Sequence, residues 1–338
     1  MITFDVFNND AFSVTTMLDD MDRQPYRPTG LASFIGFTPE PVSTDTVGVG
    51  MIRGSLKLIE PTHRGAPIET PDEETKTAVE LRIPRIARGD KLFIHQIANL
   101  RPFTGEGDVE TVARVVARKQ QRNTDAVEYT FEHMMLGALN GIVMSAAGNT
   151  IVNFYTAFGI TQPGAVTLGL SAASPTPGKL RRDIQSLIVK PIEDAADVGQ
   201  MPTMRIRAIC GSDFFNALVT HPDAEKTYLN TVAAQELRGE MPESFVFGGV
   251  EWFRYRGNGA VAVAANQARI FPYGIPDMFQ HVMGPCNEME ETINQMGRRY
   301  YPVLERDQST KRQWVQPEIY SYPLFLNRRP DLVLTAQV

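Results

Sequence analysis

Residues 108–141 read DVETVARVVARKQQRNTDAVEYTFEHMMLGALNG, and this stretch decides the fold. It holds no proline, and its glycines, Gly137 and Gly141, fall near its end. Val109, Val112 and Val116, then Val127, Phe131, Met134, Met135 and Leu139, recur at threes and fours, the spacing of one helical face. Asp108 can cap the start and Asn140-Gly141 can stop the helix, while Glu110 precedes Arg114 by one turn, the favourable order for a surface pair. Arg122-Asn123-Thr124-Asp125 is the weak joint, because Asn and Thr side chains compete for helical hydrogen bonds. Unbroken, the helix would run about 50 Å at roughly 1.5 Å per residue. That length suits the backbone of a plate-like subunit better than an ordinary enzyme domain.

The remaining chain is read around that axis. Its 338 residues, 43% hydrophobic, suffice for a sizeable core in two lobes. A formal charge of −6 argues against a basic nucleic-acid coat. Two cysteines, Cys210 and Cys286, are too few for a disulfide-stapled secreted scaffold. The start, MITFDVFNND, lacks the basic and apolar regions of a signal peptide, and no apolar run approaches the ~20 residues that span a bilayer. The composition predicts a soluble protein kept in a reducing cytoplasm.

Residues 1–48 are rich in proline (Pro25, Pro28, Pro39, Pro41) and read either as an arm lying on a neighbour or as a segment packed on its own domain. A hairpin follows. One strand is expected from Met51 to Glu60, and the return strand alternates Val79, Leu81 and Ile83 with Glu80 and Arg82. Between them lies the polar tip PTHRGAPIETPDEETK, residues 61–76. An isolated hairpin is marginal in water, so its apolar face must be covered by this chain or by another copy.

A short hairpin is expected around Ala147-Gly148-Asn149, a linker over residues 163–178, and an amphipathic helix over 179–198 that carries Leu187 on its apolar side and is interrupted by Pro191. Residues 204–271 alternate strands with helices, including helices over 212–218 and 224–238, and predict an α/β lobe. The strand-rich end, closing on PLFLNRRPDLVL, is apolar enough to be tied into the core.

Little chemistry survives inspection. His63, His95, His133, His221 and His281 stand at no metal-ligand spacing, so neither metal nor cofactor is expected. Cys210 precedes Gly-Ser-Asp at a helix start, where a thiol pKa can fall, but a small buried residue at a strand end is the stronger reading. Gly48-Val49-Gly50 lacks the spacing of a phosphate loop, and Arg88-Gly89-Asp90 reads as a turn between strands. Arg114, Arg118 and Arg122 form a basic stripe with Lys119 on the long helix, followed by acidic Asp125, Glu128 and Glu132. That segregation suits lateral pairing of identical subunits. The expected inter-subunit residues are Arg53, Lys57, His63, Arg64, Glu69, Glu73, Glu74 and Arg82 in the hairpin, with Arg114, Arg118, Arg122 and Glu128 on the helix.

The order of elements resembles a tailed-phage major capsid protein, and more closely the lambda-like major capsid protein E family. The residues that carry the resemblance are GALNG (137–141) with the hairpin after it, FFNALVTHPDAEKTYLN from Phe214, FVFGGVEWFRYRG from Phe245 and PLFLNRRPDLVL from Pro323. The resemblance implies an α+β, Hong Kong 97-type fold. It divides the chain into an N-terminal arm (1–48), an extended loop (49–99), a peripheral domain with the spine helix (100–172, completed by 304–338) and an α/β axial domain (173–303). It implies hexamers and pentamers closing an icosahedral shell around double-stranded DNA that is enclosed without sequence-specific binding. Scaffold, portal and decoration proteins would be partners, and the shell would be assembled in the host cytoplasm. The rivals are a cytoplasmic α/β hydrolase-type enzyme using Cys210, and a subunit of another assembly such as a tail tube or a bacterial encapsulating compartment.

Overall fold

The computed structural model describes residues 30–53, 75–93, 95–96, 108–172, 175–196, 204–225, 244–255, 257, 261–288, 292, 295–310 and 313–338. The expected tip of the first hairpin and most of the helix expected over 224–238 lie outside these residues.

Helix α1 (Gly30–Ile35) and strand β1 (Thr38–Pro41) belong to their own subunit. Leu31 and Ile35 are buried, Phe37 packs 5.4 Å from both Phe279 and Phe325, and the main chain of residues 38–41 pairs in parallel with residues 280–283. From Gly30 on, the N-terminal stretch is therefore packed at home rather than lying as a free arm. Pro39 and Pro41 are tolerated because β1 is an edge strand, where alternate N–H groups have no partner to lose.

The hairpin is β2 (Thr46–Arg53) with β3 (Thr75–Arg82), in register from Thr46↔Arg82 to Arg53↔Thr75. Its first strand starts earlier than the expected Met51. Gly48 and Gly50 lie within it, because a two-stranded ribbon asks little of either side chain. The near end is covered by this chain: Val49, Leu81 and Ile83 join the main core. Strands β4 (Ile86–Gly89) and β5 (Leu92–Phe93) follow; Arg88 and Gly89, expected in a turn, end β4 and pair with Ile319 and Glu318, and only Asp90-Lys91 turns between the strands.

The spine helix, α2 (Asp108–Leu139), runs unbroken for 32 residues. Val116, Val127, Phe131, Met134, Met135 and Leu139 form its buried face, as expected; the side chains of Val109 and Val112 lie outside the described residues. The expected weak joint is instead a polar stitch. Asn123 and Thr124 are buried; Thr124 Oγ1 donates to Gln120 O (3.1 Å), while Asn123 Nδ2 donates to Pro317 O (3.1 Å) and Gln120 Nε2 to Glu318 O (3.1 Å). Side chains that would compete with the helix are thus engaged, two of them by a neighbouring strand. The helix stops at Gly141, whose φ of +81° suits only glycine, and a Cβ there would lie 2.3 Å from the Tyr155 ring. The chain turns into β6 (Ile142–Met144) and β7 (Thr150–Asn153), then α3 (Phe154–Phe158), capped by Asn153 Oδ1 accepting from two backbone N–H groups.

The linker contributes β8 (Val166–Thr167) and ends at α4 (Lys179–Ile184). A π-turn over Gln185–Val189 joins α4 to α5 (Lys190–Ala196), with the Lys190 N–H donating to Gln185 O. Pro191 lacks an N–H, and the wider turn before it absorbs the missing bond. The extra residue rotates Leu187 outward, 45% exposed, so it leaves the apolar side on which the spacing had placed it.

Next come β9 (Arg205–Cys210), α6 (Ser212–Thr220), β10 (Ser244–Phe247), β11 (Val250–Arg254), β12 (Gln267–Tyr273) and β13 (Phe279–Met283). Among the described residues between β11 and β12, Val261 forms a single bridge. The chain closes with β14 (Tyr301–Arg306), β15 (Trp314–Ser321), β16 (Pro323–Asn327) and β17 (Leu334–Gln337).

These strands build two lobes. A six-stranded sheet, β10-β11-β9-β12-β17-β8, carries α4, α5 and α6 over a core that holds Trp252, Phe214, Phe245 and Phe247. The spine helix packs on β15, whose Val315, Pro317, Ile319 and Ser321 are buried, and on the three-stranded sheet β1-β13-β16. The end of the chain is tied in as expected, but it divides: β14 to β16 stay beside the spine, whereas β17 joins the six-stranded sheet. The 304–338 segment therefore serves both lobes.

Candidate assembly surface

The hairpin leaves the body at a narrow root. Asp45 precedes β2 and Arg85 follows β3, and both reach neighbouring residues of one loop. Asn287 Nδ2 donates to Asp45 Oδ1 (2.8 Å), and Arg85 Nε lies 2.8 Å from Glu288 Oε1. The Arg85 guanidinium also stands 4.9 Å above the Tyr320 ring. An ion pair this exposed contributes about 0–1 kcal/mol, so these clasps aim the hairpin more than they hold it. Behind them lies a cleft of about 510 Å³ lined by Asp45, Arg82, Arg85, Ile151, Glu288 and Tyr322, among others. Tyr322 Oη meets Cys286 Sγ at 3.5 Å, and burial pushes its pKa well up.

The outer face of the spine helix presents Arg118, Arg122, Asp125 and Tyr129, the last 46% exposed. Arg118 and Arg122 stand one turn apart, about 6 Å along the axis, and have no ion-pair partner among the described residues. Arg114 is half-buried. Lys119 is spoken for: its Nζ bonds Asp90 Oδ2 (2.6 Å) and Lys91 O (3.1 Å), which ties the β4–β5 turn to the helix. Asp125 accepts from Gln121 (2.8 Å).

Glu128 departs from expectation. Arg299 of the same chain grips it in a fork, Nη2 at 2.8 Å from both carboxylate oxygens and Nε at 3.1 Å from Oε1. Burial pushes the Glu128 carboxyl up, and Arg299 only partly offsets that. The acid that the charge pattern assigned to a neighbour is thus committed at home, and the exposed face is more basic than the sequence suggests.

Among the other expected contact residues, Arg82 is exposed on β3 opposite Thr46, and Arg53 ends β2. Lys57, His63, Arg64, Glu69, Glu73 and Glu74 lie outside the described residues. Sequence reasoning missed Arg85, Glu288 and Arg299, whose partners are far away along the chain; only a charge in a short loop beside a strand end hinted at them.

The enzyme reading does not survive. Cys210 is fully buried, and burial drives its thiol pKa well above the ordinary value, so neither access nor a thiolate is available. Among the described residues no group of three or more His, Cys, Asp or Glu is placed to hold a metal, and no helix is long and apolar enough to cross a membrane.

Comparison with known proteins agrees with this geometry. A family model described as phage major capsid protein E matches residues 13–338. The major capsid protein of Pseudomonas phage KPP10 is 24% identical over 296 residues, which cover 80% of this chain and 82% of that protein. In fold, the chain is similar to the crystal structure of a capsid protein assigned to a prophage of E. coli CFT073, with a TM-score of 0.58 at 10% identity, covering 96% of this chain and 98% of the other.

Proposed function

We infer, from the premise that this chain belongs to the phage major capsid protein E family, that its copies associate as hexamers and pentamers to close an icosahedral shell around double-stranded DNA. It is a structural protein of the virion, a capsid subunit of Hong Kong 97-type fold, and not an enzyme. The observation that carries the assembly reading is the β2–β3 ribbon, whose outer edges pair with no other strand among the described residues. Unpaired strand edges seek partners, and a two-stranded ribbon is marginal without cover; the described cover from this subunit is at the root, where Val49 and Leu81 are buried.

In this reading residues 49–99 form the extended loop, the six-stranded sheet forms the axial domain and the spine helix with its strands forms the peripheral domain. Residues 1–29 remain assigned to the arm. The hairpin residues Arg53, Lys57, His63, Arg64, Glu69, Glu73, Glu74 and Arg82 contact neighbours, as do Arg114, Arg118 and Arg122. Glu128 is withdrawn from that set. Scaffold, portal and decoration proteins are its partners, and assembly takes place in the host cytoplasm. The net charge of −6 fits DNA confined rather than gripped.

Electron microscopy of the purified protein tests this: closed polyhedral particles are expected, whereas a small soluble oligomer or open stacked tubes would overturn it. Deleting residues 61–76 should leave a folded subunit that no longer closes shells. Particles of normal form from that deletion would remove the hairpin from the contact set.

A further inference from the structure

His281 is buried in the middle of β13. Its ring stacks 4.4 Å from Phe325 on β16 and stands 5.5 Å, edge-on, from Phe131 of the spine helix. Only 5% of the residue is exposed, and its Nε2 has no hydrogen-bond partner among the described residues. Burial among these rings, and then the positive charge of Arg299, hold the imidazole neutral, with its pKa lowered to about 3. Other titratable or charged groups on the elements packed around it include Glu40 on β1, Glu128, Glu132 and His133 on α2, Tyr300 ahead of β14 and Arg328 after β16. Arg299 already takes Glu128, and Arg328 donates to Gln280 Oε1 at 2.8 Å. Glu40 pairs in register with Val282, so it leaves β1 on the face opposite His281.

We propose that His281 makes the joint between the β1-β13-β16 sheet and the spine helix acid-labile, with proton uptake forcing the ring from between Phe325 and Phe131 and parting the sheet from the helix. An imidazolium there would bring a charge and an unpaired N–H donor into an apolar layer beside a fixed cation. The unfolded chain binds this proton near the ordinary value of 6.5, whereas the folded chain resists it. Stability from this group is therefore complete above about pH 6.5 and falls as pH drops toward the folded value, by up to about tenfold in the folding constant per pH unit. Glu128 works in the opposite sense, because a raised carboxyl favours the fold as pH falls, so it cannot account for an acid loss.

The test uses the full-length, unassembled chain. Urea unfolding between pH 7.5 and 4.5 should show the wild type losing close to one proton's worth of slope more than His281→Phe, which keeps the ring stack without the titrating nitrogen. Equal slopes would overturn the proposal. Should the variant fold poorly, ring NMR of His281 in the wild type decides: no titration is expected between pH 8 and 5, and a midpoint near 6.5 would refute it. Amide exchange on acidification should rise first in residues 38–41 and 279–283; uniform exchange across both lobes would refute local parting.

Discussion

Removing the Glu128 carboxylate separates two accounts of the spine helix. If its work lies within the subunit, Glu128→Ala leaves the Arg299 guanidinium half-buried without its fork. Breaking a fully buried pair costs about 3–5 kcal/mol, but Arg299 is 27% exposed by side chain and keeps Tyr300 Oη at 2.9 Å. Its guanidinium also stays 5.3 Å from the Phe131 ring, so the lower figure of about 2 kcal/mol is expected, roughly a thirtyfold fall in the folding constant. The raised Glu128 carboxyl says that burial outweighs attraction in this pair. The double variant Glu128→Leu with Arg299→Met should therefore fall within about 1 kcal/mol of wild type, because it removes both charges and the cost of burying them. The assay is urea unfolding of unassembled protein for both alanine single variants and their double, with a coupling of about 1–2 kcal/mol expected. Glu128→Ala that unfolds like wild type yet fails to assemble would refute the reasoning and return this carboxylate to the contact between subunits.

Two further outcomes bear on the fold and on the discarded chemistry. Gly141→Ala should destabilise the subunit by about 2 kcal/mol or more, since its φ is positive and the new methyl meets the Tyr155 ring; denaturant midpoints check it, and an unchanged midpoint would show that the turn is not under that constraint. In a Cys286→Ala background, Cys210 should react with a disulfide-forming reagent only as fast as the chain unfolds; labelling in seconds under native conditions would contradict its burial.

The spine helix was legible because its apolar positions keep one period for so long that no other element fits them. The β6–β7 turn around Gly148 was legible for a local reason, since turn residues separated short apolar runs. Two things were not. Pro39 and Pro41 argued for extended chain, and only the tertiary pairing of β1 with β13 shows that extended chain can be an edge strand of its own body. Leu187 obeyed a helical period that the π-turn breaks, and that turn is a response to Pro191 that no periodicity displays. On the candidate surface, the stripe Arg118 and Arg122 stood out at one-turn spacing. The fate of Glu128 could not be read, because Arg299 lies far along the sequence and proximity in space leaves no mark in composition.

The narrow attachment of the β2–β3 ribbon has a mechanical corollary. Beyond Val49, which is buried in the core, four paired residues, Gly50↔Ala78 to Arg53↔Thr75, extend the ribbon by about 14 Å at roughly 3.4 Å per residue. A swivel of about 10° carries their far end sideways by about 2 Å, roughly half the gap between adjacent strands. Asn287 and Glu288 sit at the fulcrum, so a modest slip of that one loop is magnified into a change of register with whatever the ribbon touches.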